Sequence, residues 1–550
     1  MTPVGWRIPA RDAAFWPWAA LVVVALLTLA TLFQRSINWD EYWFLSQVHE
    51  LDQQRLSRPL QTVHTRLFGW LLALPGNEIA ALMAGRLFMF GCLLVAATAV
   101  AGLARRFAGR EAALFAALAY LSTGFVFQHG YSFRIDPLAT ALLMTSLWAL
   151  TVCRLTPLAI AGIGLVTGLA GMVTIKTVLY APAFAGIAWL RWSEAGRSRA
   201  AALRLGAVAL ASLAWFAAIY LYHAHDLART REGAAGTVLR TAFDHMFALF
   251  PANQWPMIRK GIATAPLQFL LILAVPVWLL RHRASPAEKI ALLGLLGPLA
   301  ALLYYQNTAA YFFTFMLAPV MVSTAIVLPT VLARYGARNL AVLLGIAPLV
   351  VWLFEPPSTL PAQRTIAAAA RELFPRPIGY FDKMGMLPRL AKENTFMTNW
   401  GVELYQRREV PGLAETMARR PVPLVLENDA IFTSALRGKP GDPQVYRPED
   451  IAALRGGYVN FWGPFWLAGR DVPAGAEPLR IELRVPGPYT VSGAPLVIDG
   501  VSHAPGAVVE LARGSHLIAG SRMAAARLVW GNNLRQPDFA PPPQPWFVGF

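Results

Sequence analysis

The 550 residues predict a polytopic α-helical membrane protein of about eleven spans, followed by a soluble extracytoplasmic domain that is α/β at first and then a β-sandwich. Three observations lead there. Hydrophobic residues make up 56% of the chain and charged ones only 14%, with 18 Trp and 30 Phe. A soluble chain of this length has too little interior to hide that much apolar surface. Apolar runs of about 20 residues then recur down the first two thirds of the sequence, and the basic residues between them fall in alternate connections.

The runs lie near 14–33, 79–103, 111–128, 137–153, 157–175, 177–192, 201–222, 263–281, 288–306, 309–330 and 339–354. The first follows Arg7 and Arg11, is too long for a signal-peptide core and lacks a small-residue cleavage site, so it is expected to stay as an anchor. Arg105, Arg106 and Arg110, then Arg154, then Arg191, Arg197 and Arg199 fall on one side of the count. Arg281, Arg283 and Lys289, then Arg334 and Arg338, join them there, as do Arg7 and Arg11. The positive-inside rule makes that side the cytoplasm, in a bacterial inner membrane, with the C-terminal domain periplasmic or extracellular. The net charge of +17 is spread over these short connections instead of lining a groove, which excludes a nucleic-acid partner. Cys92 and Cys153 both sit inside apolar runs and form neither a disulfide framework nor a zinc-type spacing.

Residues 1–355 thus form the membrane domain, with an unusually long first outer loop at 34–78 whose apolar spacing suits helices lying in the interface. Residues 356–550 form the outer domain, mixed α/β over 356–438 and β-rich over 439–550. In the β-rich part Ile481–Val485 alternates like a strand. Val497-Ile498-Asp499-Gly500 and Val508–Leu511 read as a turn-linked pair.

Chemistry is expected at Asn38-Trp39-Asp40-Glu41-Tyr42-Trp43-Phe44, where two carboxylates stand among aromatic side chains at the lip of a span. Asn38 and Glu41 also have the spacing of a reciprocal helix cap, which would account for Glu41 alone. Asp40 is not needed for that cap, and desolvation beside Trp39 and Trp43 would raise its pKa toward the range of a general base. Asp136 precedes Pro137 and suits either an N-cap or a second acidic group facing Asp40, with His129, Tyr131 and Arg134 close by in sequence. Lys176 divides two apolar runs and reads as a snorkelling lysine or a phosphate contact. Arg86 lies inside the second run, where it needs a carboxylate or a lipid phosphate. His223, His225, Asp226, Asp244 and His245 match no recognised metal spacing. Arg55, Arg58 and Arg66 suit lipid headgroups or an anionic lipid carrier.

The acidic pair opening a long first outer loop, in Trp39-Asp40-Glu41-Tyr42, resembles the GT-C superfamily of membrane glycosyltransferases. Bacterial relatives of the protein O-mannosyltransferases and of the lipid A aminoarabinose transferase are the most similar. Ala84-Gly85-Arg86-Leu87, Asp136-Pro137 and Thr174-Ile175-Lys176 are similar to features recurring there, in the same order, and the resemblance covers roughly 14–355. It implies transfer of a sugar from a polyprenyl-phosphate carrier to a glycan, lipid or protein hydroxyl on the outer face, with inversion. By that resemblance Asp40 is the base and Glu41 or Asp136 orients the acceptor. Arg86, Arg134 and Lys176 neutralise the departing phosphate, and Trp39, Tyr42, Tyr131, Tyr304 and Tyr305 line the substrate site. No cofactor is implied outright, and a divalent metal stays open. The chain departs from the pattern at Thr177, where relatives often have Gly, and at Tyr304–Asn307, which lacks a basic residue. A glycolipid transporter or flippase and a membrane-anchored glycan-binding protein are the rival readings; the odd span number and the clustering of polar residues at one lip speak against the first.

Overall fold

A computed structural model describes residues 14–227, 247, 249–250, 254–281, 284–306, 308–395, 397–438, 442 and 444–546. Arg7, Arg11, Asp244, His245, Arg283 and Asn307 lie outside the described residues. The chain is mostly helical up to Leu353, with a C-terminal sheet domain beyond.

Helices occupy each of the eleven expected stretches, and several of those stretches are divided into shorter helices. Among the described residues five are long and apolar enough to cross a membrane, or up to seven if each bent pair is one span. The physical reason is internal breaks. Ser122 and Thr123 divide Arg110–Leu121 from Gly124–His129. Trp255–Ala263 meets Pro266–Arg281 at 104°, and Phe312–Thr324 meets Leu328–Tyr335 at 69°. A sliding apolar window passes over such breaks.

The Phe312–Thr324 helix is the axis of the bundle, since every one of its residues is buried. Pro319 inside it has no N–H to give to Phe315, four residues back. The orphaned Phe315 carbonyl instead accepts the Tyr180 hydroxyl at 2.6 Å, and the neighbouring Thr314 carbonyl accepts Tyr120 at 2.9 Å. Pro157–Val173 packs on Arg199–His225 through Gly164 and Gly168, a small-xxx-small pair. A Cβ on Gly168 would stand 2.8 Å from both the Ser212 carbonyl and the Phe216 amide.

The C-terminal domain carries β1 (Gly379–Phe381), β2 (Ala391–Lys392), β3 (Leu424–Leu426), β4 (Tyr458–Trp462), β5 (Phe465–Val472), β6 (Leu479–Leu483), β7 (Gly487–Gly493), β8 (Leu496–Ile498), β9 (Val501–His503), β10 (Val508–Leu511), β11 (Gly514–Ala519) and β12 (Ala526–Trp530). One sheet runs β10-β7-β12-β5-β3-β1-β2, with β4 also on β5; it crosses the expected division at 438 without interruption. A second runs β6-β11-β8-β9 and shares an apolar core with the first through Val491, Leu528, Ile481 and Ile518. The two-residue turn at Asp499-Gly500 has φ of 49° and 85°, as a hairpin with the right twist requires. It joins β8 to β9, however, and β10 pairs with β7. The expected partner was therefore wrong: the short β9 takes the place beside β8 that the alternation had assigned to β10.

The domain is clamped to the first loop. The Gln363 side-chain amide accepts from the Ile37 N–H and donates to the Ile37 carbonyl, each at 2.9 Å, as a neighbouring strand would. Thr359 donates its N–H to the Ser36 hydroxyl. These bonds fix the backbone just ahead of Asp40.

Gly168→Val should lower the stability of the purified protein by roughly 1–3 kcal/mol, because backbone rather than a flexible side chain meets the new methyls. Thermal unfolding in detergent reads it, with Gly162→Val, where a Cβ meets open space, as the neutral comparison.

Candidate active site

Asp40 and Glu41 are adjacent in a helix, so their side chains leave it about 100° apart. The two carboxylates end in different networks.

Glu41 faces the bundle. The box predicted by the Asn38 and Glu41 spacing is present at the start of the Trp39–Asp52 helix. Beyond the cap, Glu41 holds Arg86 in a fork, with Nε on Oε2 at 2.7 Å and Nη2 on Oε1 at 2.6 Å. The carboxylate also accepts the N–H of Asn38 and of Phe133, each at 2.9 Å. The three remaining Arg86 donors go to the carbonyls of Leu32, Arg35 and Ser36, at the end of the Phe15–Gln34 helix. All five guanidinium N–H groups are thus used within the chain. Burial alone would push the Glu41 carboxyl up. Arg86, by charge and hydrogen bonding, with the Asn38 and Phe133 amides, outweighs that and holds it below its ordinary value of 4.5. Gly85 permits the arrangement, since a Cβ there would stand 2.4 Å from the Phe133 ring.

Asp40 faces the other way and pairs with the Arg134 guanidinium, a partner beyond the aromatic neighbours read from sequence. Arg134 reaches on to Asp136 at 3.4 Å, and Asp136 takes Lys176 Nζ at 2.5 Å. Acid and base alternate: Asp40, Arg134, Asp136, Lys176. The Arg134 guanidinium carbon lies 3.4 Å from the Tyr311 ring centre, and Lys176 Nζ lies 5.4 Å from it. Tyr311 immediately precedes the central helix, so the bundle's axis carries the floor of this cluster. Asp40 keeps 15% of its side chain exposed, while Asp136 keeps 1%.

Of the other expected site residues, Tyr131 packs beside Arg86, with 5.8 Å from the guanidinium carbon to its ring centre, and Tyr42 is fully buried. Trp39 turns toward the C-terminal domain, its ring 4.5 Å from Lys383 Nζ. Tyr305 meets Phe312, whose ring lies 6.0 Å from Lys176 Nζ; Tyr304 stacks on Phe247. The Thr177 hydroxyl is taken by the Ala170 carbonyl. His223 uses its ring nitrogens on Thr62 and Arg66, and Arg66 also holds Asp226. Among the described residues no group of three His, Cys, Asp or Glu is arranged to hold a metal ion. Sequence reasoning missed Tyr311, which lies 177 residues past Arg134 and carries only the generic mark of an aromatic at a span end.

No protein-family model and no curated protein sequence matches the chain. Solved structures do. The oligosaccharyltransferase of Archaeoglobus fulgidus in the apo form is 11% identical over 96% of this chain and 98% of that one, with a TM-score of 0.55. ArnT from Cupriavidus metallidurans, bound to undecaprenyl phosphate, is 12% identical over 76% of this chain and 95% of its own, with a TM-score of 0.51. The chain shares the fold of these two structures. A further structure of the archaeal enzyme, tethered to an acceptor peptide, matches at 13% identity and a TM-score of 0.51, covering 81% of this chain and 72% of that one. These likenesses concern architecture, and any role of a single residue rests on the geometry above.

Glu41→Gln should lower stability at neutral pH by about 3–5 kcal/mol, the usual cost of leaving one buried ion partner uncompensated. A folded carboxyl held below its ordinary value contributes stability that is present above that value and lost as pH falls through the lower one. Unfolding curves between pH 7 and 3 should therefore converge for wild type and Glu41→Gln on the acid side.

Proposed function

We propose that this chain is a glycosyltransferase that moves a sugar from a polyprenyl-phosphate carrier to an acceptor hydroxyl on the outer face of the membrane. The observation that carries this reading is the alternating cluster in which Asp40 alone stays open while two cations are held beside it. Asp40 takes the proton of the acceptor hydroxyl as that oxygen bonds to the anomeric carbon. The bond from that carbon to the carrier phosphate breaks, and its electron pair leaves on the phosphate. A phosphate leaving group needs little protonation. Arg134 and Lys176 supply the positive charge it requires, an electrostatic role that the low-dielectric surroundings strengthen. One open carboxylate with no second nucleophile beside it among the described residues favours a single displacement, hence inversion. Asp136, sealed between the two cations, positions them; it has too little exposed surface to orient an acceptor. Glu41 and Arg86, saturated by one another and by backbone, are assigned to the scaffold and not to the acceptor or the phosphate. The GT-C fold supports the reaction class, and the undecaprenyl phosphate in ArnT supports a lipid-linked donor.

Mass spectrometry of lipids co-purifying in nanodiscs tests the reading. Asp40→Asn should keep a polyprenyl-phosphate sugar that the wild type has discharged, and its turnover should drop about 10²–10⁴-fold, the range of general-base catalysis. Turnover equal to the wild type would move the base away from Asp40.

A further inference from the structure

A second feature adjoins the cluster. Between the Trp39–Asp52 helix and the C-terminal domain lies a cavity of ≈ 350 Å³, within the size range of small-molecule sites. The helix lines it with Trp43, Gln47 and Glu50, and the domain with Asn394, Thr395 and Thr398. Asp40, Trp43, Gln47 and Glu50 succeed one another at helical spacing, so they share one side of the helix, with Asp40 about one turn from Trp43.

The lining is polar, and part of it is uncommitted. Gln47 is only 6% exposed, and its buried Oε1 has no hydrogen-bond partner among the described residues. A buried acceptor left in that condition costs about 1–3 kcal/mol unless something supplies a donor. The charges cancel. Arg55 is taken by Glu393 and the Lys392 carbonyl, and Lys392 by Asp382 and Asn394. Arg58 and Glu50 remain, one of each sign. An anionic guest would meet Glu50, and a lipid chain would strand Gln47. A neutral polyol fits both, with the Trp43 indole as a platform for a sugar ring and Gln47 and Glu50 as acceptors for its hydroxyl protons.

On the glycosyltransferase reading, we infer that the acceptor is a neutral glycan whose terminal sugar enters this cavity and turns one hydroxyl toward Asp40. The site is made by two parts of the chain, and neither forms it alone.

The test uses the full-length protein in nanodiscs with neutral trisaccharides of glucose, mannose, galactose and arabinose, followed by saturation-transfer NMR and tryptophan fluorescence. At least one should bind the wild type with a Kd on the millimolar scale or tighter. Gln47→Leu should weaken it at least tenfold, and Gly162→Val, where a Cβ meets open space, should not. Thr395→Val, on the opposite wall, should weaken the same sugar and serves if Gln47→Leu does not fold. Binding of none of the sugars overturns the inference, as does binding of a Ser/Thr-rich peptide or a phosphorylated oligosaccharide in their place. Discharge of the donor to water needs no glycan and reads the transferase separately. Discharge without sugar binding overturns the cavity's role alone, whereas sugar binding without discharge overturns the acceptor assignment together with the enzyme.

Discussion

The buried pair of Glu41 and Arg86 is the constraint on which the site depends. A guanidinium inside an apolar helix is tolerated only where its donors are answered, and here one carboxylate and three carbonyls answer all five. Those groups come from four places: the end of the first helix, the segment after it, the first-loop helix and the long Glu78–Ala104 helix. Glu41 adds a fifth by holding the Phe133 amide. Phe133 is next to Arg134, so the pair sets the start of the segment that carries Arg134 to Asp40. Asp40 is partly open to water, and the frame behind it is not.

The division of labour between Asp40 and Glu41 follows from helix geometry more than from composition. Two neighbouring carboxylates in a strand would point to opposite faces. In a helix they diverge by about 100°, enough to put one in the bundle and one at its lip. Because the helix begins at Asn38, Glu41 becomes the capping partner and Asp40 is left over. Moving the cap one residue earlier would put Asp40 in the place of Glu41.

Much of this was legible before any coordinates. Apolar runs mark all eleven helical stretches, and burying Arg86 demands either a carboxylate or a lipid phosphate; the structure supplies Glu41. Local spacing also gives the cap at Asn38 and the turn at Asp499-Gly500. What sequence could not supply was pairing at a distance. Arg86 finds Glu41 across 45 positions and Lys176 finds Asp136 across 40, and neither spacing is periodic. Tyr311 and Gln363 carry no local mark of their contacts at all. Helix breaks escaped for a different reason: a hydropathy window registers apolar length and not the residues at which a helix bends or divides, as at Ser122 and Thr123. β10 was assigned the wrong neighbour because alternation identifies a strand without saying which edge it joins.

The seam between the first loop and the C-terminal domain is built from two kinds of bond, and ionic strength separates them. On the side nearest Asp40 it is neutral: the Gln363 amide on Ile37 and the Thr359 amide on Ser36. Farther along it is ionic, where Arg55 and Arg420 share Glu393, and Arg420 is 60% exposed. Mobile counter-ions screen exposed charges within about 8 Å at 0.15 M and leave amide hydrogen bonds almost untouched. Concentrated salt therefore loosens the wall of the sugar-sized cavity first, while the backbone ahead of Asp40 stays in register. On the proposed reading, a brackish or osmotically stressed exterior would act on how the acceptor is held before it acts on the base.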